Sequence, residues 1–266
     1  MMYRITPAVK NLLIINGLLF LATFVIGAQF NVSLTKLLGL HYPVSEHFKP
    51  FQFVTHMFMH GGMMHIFFNM YALFLFGSAI ENAWGSQRFL FYYFFTGLGA
   101  ATLHLLVNHI MFSNMAAAIT AFQNTPDPEV FKQFVDGNKH YFRQNVYDFI
   151  NRWSLDPENP TYVFQALQIM KNIYQSAINV PTVGASGAVF GILLAFGMMY
   201  PNAELMLLFL PIPIKAKWFV AGYGVLELFL GFTRTGSNIA HFAHVGGMLF
   251  GFILIKYWIA QEKRNY

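Results

Sequence analysis

The chain contains no cysteine among its 266 residues, and it has few charged side chains. Without cysteine, disulfides, thiol catalysis and cysteine-ligated metal sites are all excluded. Charged residues make up 10% of the sequence and hydrophobic residues 56%, whereas soluble domains carry roughly 25% charged residues. This imbalance predicts a polytopic membrane protein.

The chain also lacks a clustered basic patch, although its formal net charge is +5. Basic residues at helix ends, facing anionic lipid and the cytoplasm, account for such a charge. We therefore expect membrane lipid to be their partner, and we predict no binding of nucleic acid.

Six apolar runs are separated by Gly, Pro or charged residues. The first is too long for the apolar part of a signal peptide, because about 20 residues can cross a hydrocarbon core of roughly 30 Å. The pattern predicts an all-α membrane protein with six transmembrane helices. The fourth run is short, and we expect its first residue, Ser186, to lie below the membrane surface and face water. The runs are residues 11–30, 63–80, 89–112, 186–200, 217–232 and 239–259.

A charged segment interrupts this pattern, with eleven Asp, Glu, Lys and Arg residues between 113 and 181. Asp127 and Asn159 each precede a proline, which is typical of a helix start. We predict a soluble helical insertion on the outer side that is either a cap on the membrane surface or a substrate gate or exosite. The predicted division is helices 1–3 in residues 1–112, the insertion in 113–181, and helices 4–6 in 182–266.

Two polar residues lie inside membrane-length runs. Ser186 follows Gly184 at the head of the fourth run, and His244 precedes Gly247 in the last. Intramembrane polar groups are costly and so are functional candidates, and serine with histidine supplies a nucleophile and a base. The alternative is purely structural, because the Gly-x-x-x-Gly patterns that follow both residues favour close helix packing. Such packing would also bring a hydroxyl and an imidazole within hydrogen-bond reach.

A third group opens the second run, where His65 and Asn69 are four residues apart and share one helix face. With the backbone N–H of Ser186, they would provide three donors for a developing oxyanion. The alternatives for this group are interhelical hydrogen bonds and a metal site. His56 and His60 have the spacing of the His-Glu-x-x-His zinc pattern, but methionine occupies the glutamate position and no carboxylate joins them. We therefore predict no metal.

These three groups together resemble the rhomboid family of intramembrane serine proteases. The segment from Gly184 to Gly187 resembles its Gly-x-Ser-Gly signature, His65 to Asn69 its His-x-x-x-Asn signature, and His244 with Gly247 its last-helix histidine signature. The resemblance spans residues 11–256.

The resemblance implies a catalytic dyad of Ser186 and His244 without an acidic third member. It also implies an oxyanion site formed by His65, Asn69 and the Ser186 backbone, and no metal, nucleotide or organic cofactor. The neighbouring sequence agrees, because neither helix that carries Ser186 or His244 contains Asp or Glu. His241, on the same helix as His244, is the competing candidate for the base.

The chain departs from the family pattern at Phe190, where many relatives have a tyrosine that packs on the catalytic histidine. Phe190 keeps the ring without the hydroxyl, so we expect it to pack on His244 and to leave activity intact. The insertion is the second departure, and it bears on substrate access. Glu81 and Arg88 resemble the family's polar turn, to which we assign a structural role.

The expected substrates are transmembrane segments of membrane proteins, which enter sideways between the fifth and second helices and unwind. A proteolytically silent protein that binds transmembrane clients is the main alternative. A transporter is the other alternative, but the two halves lack a matching pair of broken helices.

Basic residues are unevenly distributed between the two sides of the predicted bundle. The side that holds both termini carries seven and the other side three, which predicts cytoplasmic termini. We therefore expect a multi-pass protein of the bacterial inner (plasma) membrane, with its active site open to the periplasmic or outer face. The two sets are Arg4, Lys10, Arg88, Lys215, Lys217, Lys263 and Arg264, and Lys36, Lys49 and Arg234.

Overall fold

A computed structural model describes residues 5–207, 210–233 and 240–264, which form helices and one two-stranded hairpin. Arg4, Arg234 and Ile239, which entered the predictions above, lie outside these residues. The helices are α1 (Pro7–Phe30), α2 (Leu34–Leu38), α3 (Gln52–Thr55), α4 (Met63–Ala72), α5 (Ser78–Trp84), α6 (Ser86–Asn124), α7 (Pro128–Gly137), α8 (Asn145–Ser154), α9 (Pro160–Ile178), α10 (Ser186–Met199), α11 (Ala216–Thr233) and α12 (His241–Arg264). The strands are β1 (Glu204–Leu207) and β2 (Leu210–Lys215).

The six predicted membrane segments are all helical in the described residues. A π-helical turn joins α4 and α5 into one helix, Met63–Trp84. Within the described ranges, this helix, α1, α6 and α12 are each long and apolar enough to cross a membrane. The shorter α10 has 14 residues and extends about 21 Å, whereas the hydrocarbon core is roughly 30 Å thick. The prediction of an all-α polytopic membrane protein is confirmed.

Helix α10 lies at the centre of the bundle, packed against α6, α11 and α12. Small residues permit this close approach. A Cβ atom on Gly247 would overlap the carbonyl group of Gly187, and one on Gly191 would overlap the side chain of Thr96. Van der Waals packing at small residues is what holds helices together in lipid. The same glycines therefore fix the distance between the helices that carry Ser186 and His244.

Glu81 caps the first membrane helix. Its Oε1 accepts a hydrogen bond from the backbone N–H of Ala8 at 2.8 Å, and its Oε2 accepts one from Val9 at 2.9 Å. The first N–H groups of a helix have no partner within the helix, and a negative charge near them is favourable. Glu81 thus has the structural role assigned to it from the sequence.

The third membrane helix is longer than predicted. We expected it to end at residue 112, but α6 continues to Asn124. The extension contains neither Pro nor Gly, and it includes three consecutive alanines, which strongly favour helix. Met115, Ile119 and Phe122 repeat at helical spacing along it and are buried. The predicted domain boundary at residue 113 therefore does not coincide with a helix end.

The insertion is helical, and Asp127 and Asn159 begin two of its helices. The Asp127 carboxylate accepts a hydrogen bond from the N–H of Glu129 at 2.7 Å, and the Asn159 side chain accepts one from Thr161 at 3.0 Å. Helices α7, α8 and α9 pack with the end of α6 around a hydrophobic core of their own, separate from the core around α10. The fully buried side chains of this second core include Phe122, Phe131, Trp153 and Met170.

One small β-hairpin was not predicted. Strands β1 and β2 pair antiparallel, with Glu204 opposite Lys215. They occupy the connection between α10 and α11, where β-branched isoleucines alternate with prolines in Leu-Pro-Ile-Pro-Ile. Proline within a sheet is largely confined to edge strands, and both strands of a two-stranded hairpin are edge strands.

Candidate active site

The segment before Ser186 is held in place by backbone hydrogen bonds from two loops. Leu40 and Thr182 exchange a pair of them, with N···O distances of 2.9 and 2.8 Å. The N–H of Gly184 donates to the carbonyl of His56 at 2.9 Å. Ser186 is then the first residue of α10 and is partly exposed.

Gly184 must be glycine for two reasons. Its φ is +127°, in the region that L side chains rarely adopt. A Cβ atom there would lie 2.7 Å from Nε2 of His65, and also 3.6 Å from Oγ of Ser186. The imidazole of His65 therefore packs directly against Gly184, close to the Ser186 hydroxyl.

Ser186 and His244 form a hydrogen bond. Nε2 of His244 lies 2.9 Å from Oγ of Ser186, although the two residues are 58 positions apart in the chain. His244 lies in the first turn of α12 and is buried. The structure thus brings together the two residues that the sequence singled out as nucleophile and base.

A carboxylate contacts the other nitrogen of His244. Oε2 of Glu227, on α11, lies 2.9 Å from Nδ1 of His244 and 2.6 Å from Nδ1 of His241. All three side chains are buried. The expectation that no acidic group contacts the serine–histidine pair does not hold.

The sequence around Ser186 and His244 does not indicate Glu227, because this residue lies on a different helix, α11. The signal was nevertheless present, since Glu227 is an ionisable residue within the predicted fifth span. Such a residue is a functional candidate by default.

His241, the competing candidate for the base, faces Glu227. Its Nδ1 makes the 2.6 Å contact, while its Nε2 is buried and has no hydrogen-bond partner among the described residues. Within the described ranges, Glu227, His241 and His244 are also the one cluster whose ligand atoms lie close enough to hold a metal ion. His56 and His60 are not part of it.

Phe190 stacks on the imidazole of His244. The ring centroids are 4.2 Å apart and the planes differ by 5°. Phe190 also contacts the ring of Tyr223 at 4.8 Å. This stacking is the contact that the resemblance implied for Phe190, and it needs only the aromatic face.

Further hydrogen-bond donors lie at the start of α10 and on α4, which packs against it. Asn69 is buried, and its Nδ2 has no hydrogen-bond partner among the described residues. Buried amide groups are normally paired, so an unpaired one calls for an explanation. The first backbone bond of α10 runs from Val189 to Ala185, so the Ser186 N–H points out of the helix without an intrahelical partner. With His65 beside Gly184, the residues predicted for the oxyanion site lie on the elements that surround Ser186.

His56 and His60 support this region from the loop before α4. Nδ1 of His56 donates to the carbonyl of Gln52 at 2.9 Å, and the ring of His60 packs edge-on against His65 with centroids 5.1 Å apart. Burial lowers the pKa of His56 to about 4. Burial, and then the nearby His65, lower the pKa of His60 to about 4 as well. Both rings are therefore neutral at pH 7.

The chain is similar in sequence to a known domain family and to parts of known proteins. A Rhomboid domain model matches residues 47–123 and 160–261. The chain is 33% identical over 85 residues to "Rhomboid protein 1, mitochondrial" of Saccharomyces cerevisiae, covering 32% of this chain and 24% of that protein. It is 36% identical over 64 residues to "Rhomboid-like protein 15" of Arabidopsis thaliana, covering 24% of this chain and 16% of that one. The alignments thus span a quarter or less of these relatives, and the domain match leaves out the stretch that contains α7 and α8.

Proposed function

Since the chain belongs to the rhomboid family, we propose that it is an intramembrane serine endopeptidase that cleaves transmembrane segments of other membrane proteins. Ser186 is the nucleophile and His244 the general base. The observation that carries this proposal is the 2.9 Å hydrogen bond between Oγ of Ser186 and Nε2 of His244, formed inside a helical membrane protein. A serine hydroxyl is a weak nucleophile until an adjacent base accepts its proton.

In the acylation step, Oγ of Ser186 attacks the carbonyl carbon of the scissile peptide bond while Nε2 of His244 takes the hydroxyl proton. The tetrahedral intermediate then collapses, the C–N bond breaks, and His244 returns the proton to the leaving amine. In the second step, His244 takes a proton from water while the water oxygen attacks the carbonyl carbon of the acyl-enzyme. The C–Oγ bond then breaks, His244 returns the proton to Oγ of Ser186, and the carboxylic acid product leaves.

The negative charge on the carbonyl oxygen needs donors that are already in place. We assign this role to the Ser186 N–H, the imidazole of His65 and the side-chain amide of Asn69. The support is that Nδ2 of Asn69 is buried without a partner among the described residues. The Ser186 N–H also lies at the positive end of the α10 dipole, which favours an anion.

The substrate helix enters from the bilayer between α4 and α11. Both helices present exposed apolar side chains to lipid, among them Phe67 on α4 and Phe229 on α11. A helical substrate must unwind to expose its carbonyl group to Ser186, which favours segments with small or helix-breaking residues. We further propose cytoplasmic termini and an active site that opens to the outer face, with the insertion on that side.

The test is cleavage of a model single-pass protein in liposomes, combined with labelling by a biotinylated fluorophosphonate. Ser186→Ala and His244→Ala should each abolish both signals. Ser78→Ala is the matched control, because Ser78 is also a buried serine of a membrane helix, on α5. A silent client-binding protein would bind the single-pass protein without cutting it and would take up no label in the wild type. That result would overturn the proposal.

A further inference from the structure

We propose that Glu227 is a positioning residue of this site, a buried carboxylate that determines which nitrogen of His244 carries a proton and stabilises the imidazolium formed during catalysis. The catalytic part of this inference rests on the proposed function above. Its structural part, the control of the protonation of His244 by Glu227, does not.

The burial of Glu227 requires that its carboxylate be paired. Glu227 is 4% exposed, and a buried carboxylate is costly unless it is hydrogen-bonded. Its described hydrogen bonds go to Nδ1 of His241 at 2.6 Å and Nδ1 of His244 at 2.9 Å. A solely structural carboxylate is found elsewhere in this chain, where Glu81 bonds the backbone at the start of α1. Glu227 instead bonds the histidine that contacts Ser186.

Glu227 determines which nitrogen of His244 carries the proton. An ionised carboxylate can only accept hydrogen bonds, so the Nδ1 that faces Glu227 must carry the proton. Nε2 of the neutral ring then holds a lone pair that faces the Ser186 hydroxyl, as a general base requires. In the opposite tautomer Nε2 would carry the proton and could not accept another. Replacing the acidic residue of a serine protease triad by its amide favours this unproductive tautomer.

His241 holds Glu227 in place. It donates to the same oxygen of Glu227 from the first turn of α12, so the carboxylate is held from two sides. Its buried Nε2 lacks a hydrogen-bond partner among the described residues, and an unpaired lone pair there is compatible with a proton on Nδ1. His241 therefore fixes the position of Glu227. It acts on His244 only through Glu227.

Of the titratable groups described around His244, Glu227 is the one that can stabilise its imidazolium form. His65 on α4 and His104 on α6 lie within electrostatic range of His244, and their protonation would oppose an imidazolium. Tyr223, within range of Glu227 on the same helix, is a neutral phenol. Among the residues that the structure describes, Glu227 is thus the one carboxylate that contacts His244.

The first experiment measures the rate at which a biotinylated fluorophosphonate labels Ser186, from pH 5 to 9, in the full chain reconstituted in nanodiscs. Glu227→Gln should lower the plateau rate by between about tenfold and about 10⁴-fold, the upper value being the effect of the equivalent change in a serine protease. The midpoint of the acid limb should fall by at least about one pH unit, because a carboxylate beside a base favours its charged form. Glu227→Asp should restore the midpoint and part of the rate.

The matched control is Glu81→Gln, which also removes a buried carboxylate from a membrane helix. It should lower the thermal stability of the protein without moving the midpoint. If Glu227→Gln behaved like Glu81→Gln, with the midpoint of the wild type, the role of Glu227 would be structural and the inference would fail.

The second experiment does not need activity. In ¹⁵N-histidine NMR spectra, with His244→Gln used to assign the signals, His244 of the wild type should carry its proton on Nδ1 at pH 8. In Glu227→Gln its titration midpoint should fall and the Nδ1–H form should lose its dominance. A wild type that takes up no fluorophosphonate would overturn the proposed function alone, whereas an unchanged His244 spectrum in Glu227→Gln would overturn this inference alone.

A metal ion on Glu227, His241 and His244 is the competing explanation of the cluster. Such an ion would displace the Nδ1 protons that the carboxylate accepts. We expect EDTA to leave labelling of the wild type unchanged. Loss of labelling in EDTA that added Zn²⁺ restores would overturn the positioning role.

Discussion

Phe190 and His244 lie face to face, with ring centroids 4.2 Å apart and planes 5° from parallel. The contact joins α10 to α12 beside the Ser186 hydroxyl and restricts rotation of the imidazole. Aromatic stacking contributes roughly 0.5–1.5 kcal/mol beyond the area it buries. Phe190 and Glu227 therefore both contact the imidazole that we propose as the base.

Replacement of this ring should slow the reaction. Phe190→Ala should lower kcat by about tenfold, which corresponds to about 1.4 kcal/mol. Phe190→Tyr, which keeps the aromatic face, should remain within a few-fold of the wild type. Steady-state cleavage of the single-pass protein in liposomes measures both. An equal loss of kcat in the two variants would show that stacking of the residue 190 ring on His244 does not affect the reaction.

The oxyanion assignment predicts a loss of rate without a loss of substrate binding. His65→Ala and Asn69→Ala should each lower kcat by about 100-fold or more, with KM nearly unchanged, because the donors act mainly on the charge that develops in the transition state. Asn16→Ala is the matched control, since Asn16 is a buried asparagine on α1 whose amide bonds the carbonyl of Leu12. A larger effect on KM than on kcat would contradict the assignment.

Close approach of α10 and α12 makes Gly247 sensitive to substitution. Gly247→Ala places a methyl group on the carbonyl of Gly187, and such overpacking typically costs about 1–3 kcal/mol. We expect a lower melting temperature in detergent and slower fluorophosphonate labelling. Gly17→Ala, where the space around the glycine is open, should be neutral or slightly stabilising.

Acid should destabilise the fold through the loop that supports Gly184. His56 is buried and its pKa is lowered to about 4, from a usual value of 6.5. Neutral His56 therefore contributes to the free energy of unfolding, and this contribution is complete above pH 6.5. It is lost as the pH falls from 6.5 towards 4, by no more than about 1.4 kcal/mol per pH unit. His56→Gln keeps a donor amide and cannot titrate in this range. Its melting temperature should vary less between pH 7 and pH 4 than that of the wild type, and an equal dependence would argue against this origin.

The separate core of the insertion predicts that damage there stays local. Trp153 is fully buried among residues of the insertion and the end of α6, so Trp153→Ala should cost about 3–5 kcal/mol of local stability. We expect faster proteolysis within α7–α9 and an unchanged rate of Ser186 labelling. If the insertion is only a cap, KM for the single-pass protein should also be unchanged, whereas a raised KM would favour the exosite alternative.

Much of the site was visible in the sequence because rigid local geometry connects spacing to position. His65 and Asn69 share a helix face because they are four residues apart, and a polar residue at the head of a short apolar run must lie near the end of its helix. The Gly-x-x-x-Gly patterns after Ser186 and His244 predicted close approach, and the structure shows it where a Cβ atom on Gly247 would overlap the carbonyl group of Gly187. The end of α6 was placed too early because the change in composition at 113 was taken for a change in structure.

By itself, the sequence determined the membrane-spanning helical class, the three motifs and the pairing of Ser186 with His244, because hydrophobic period and residue spacing act along one chain segment at a time. Only the tertiary structure decided that Glu227 from α11 reaches Nδ1 of His244, and that the insertion packs around a core of its own. Such contacts join helices whose relative rotation and depth depend on packing across the whole bundle. No local pattern encodes that rotation, so the sequence marks Glu227 as an ionisable residue of the fifth span, but only the structure shows that it contacts His244.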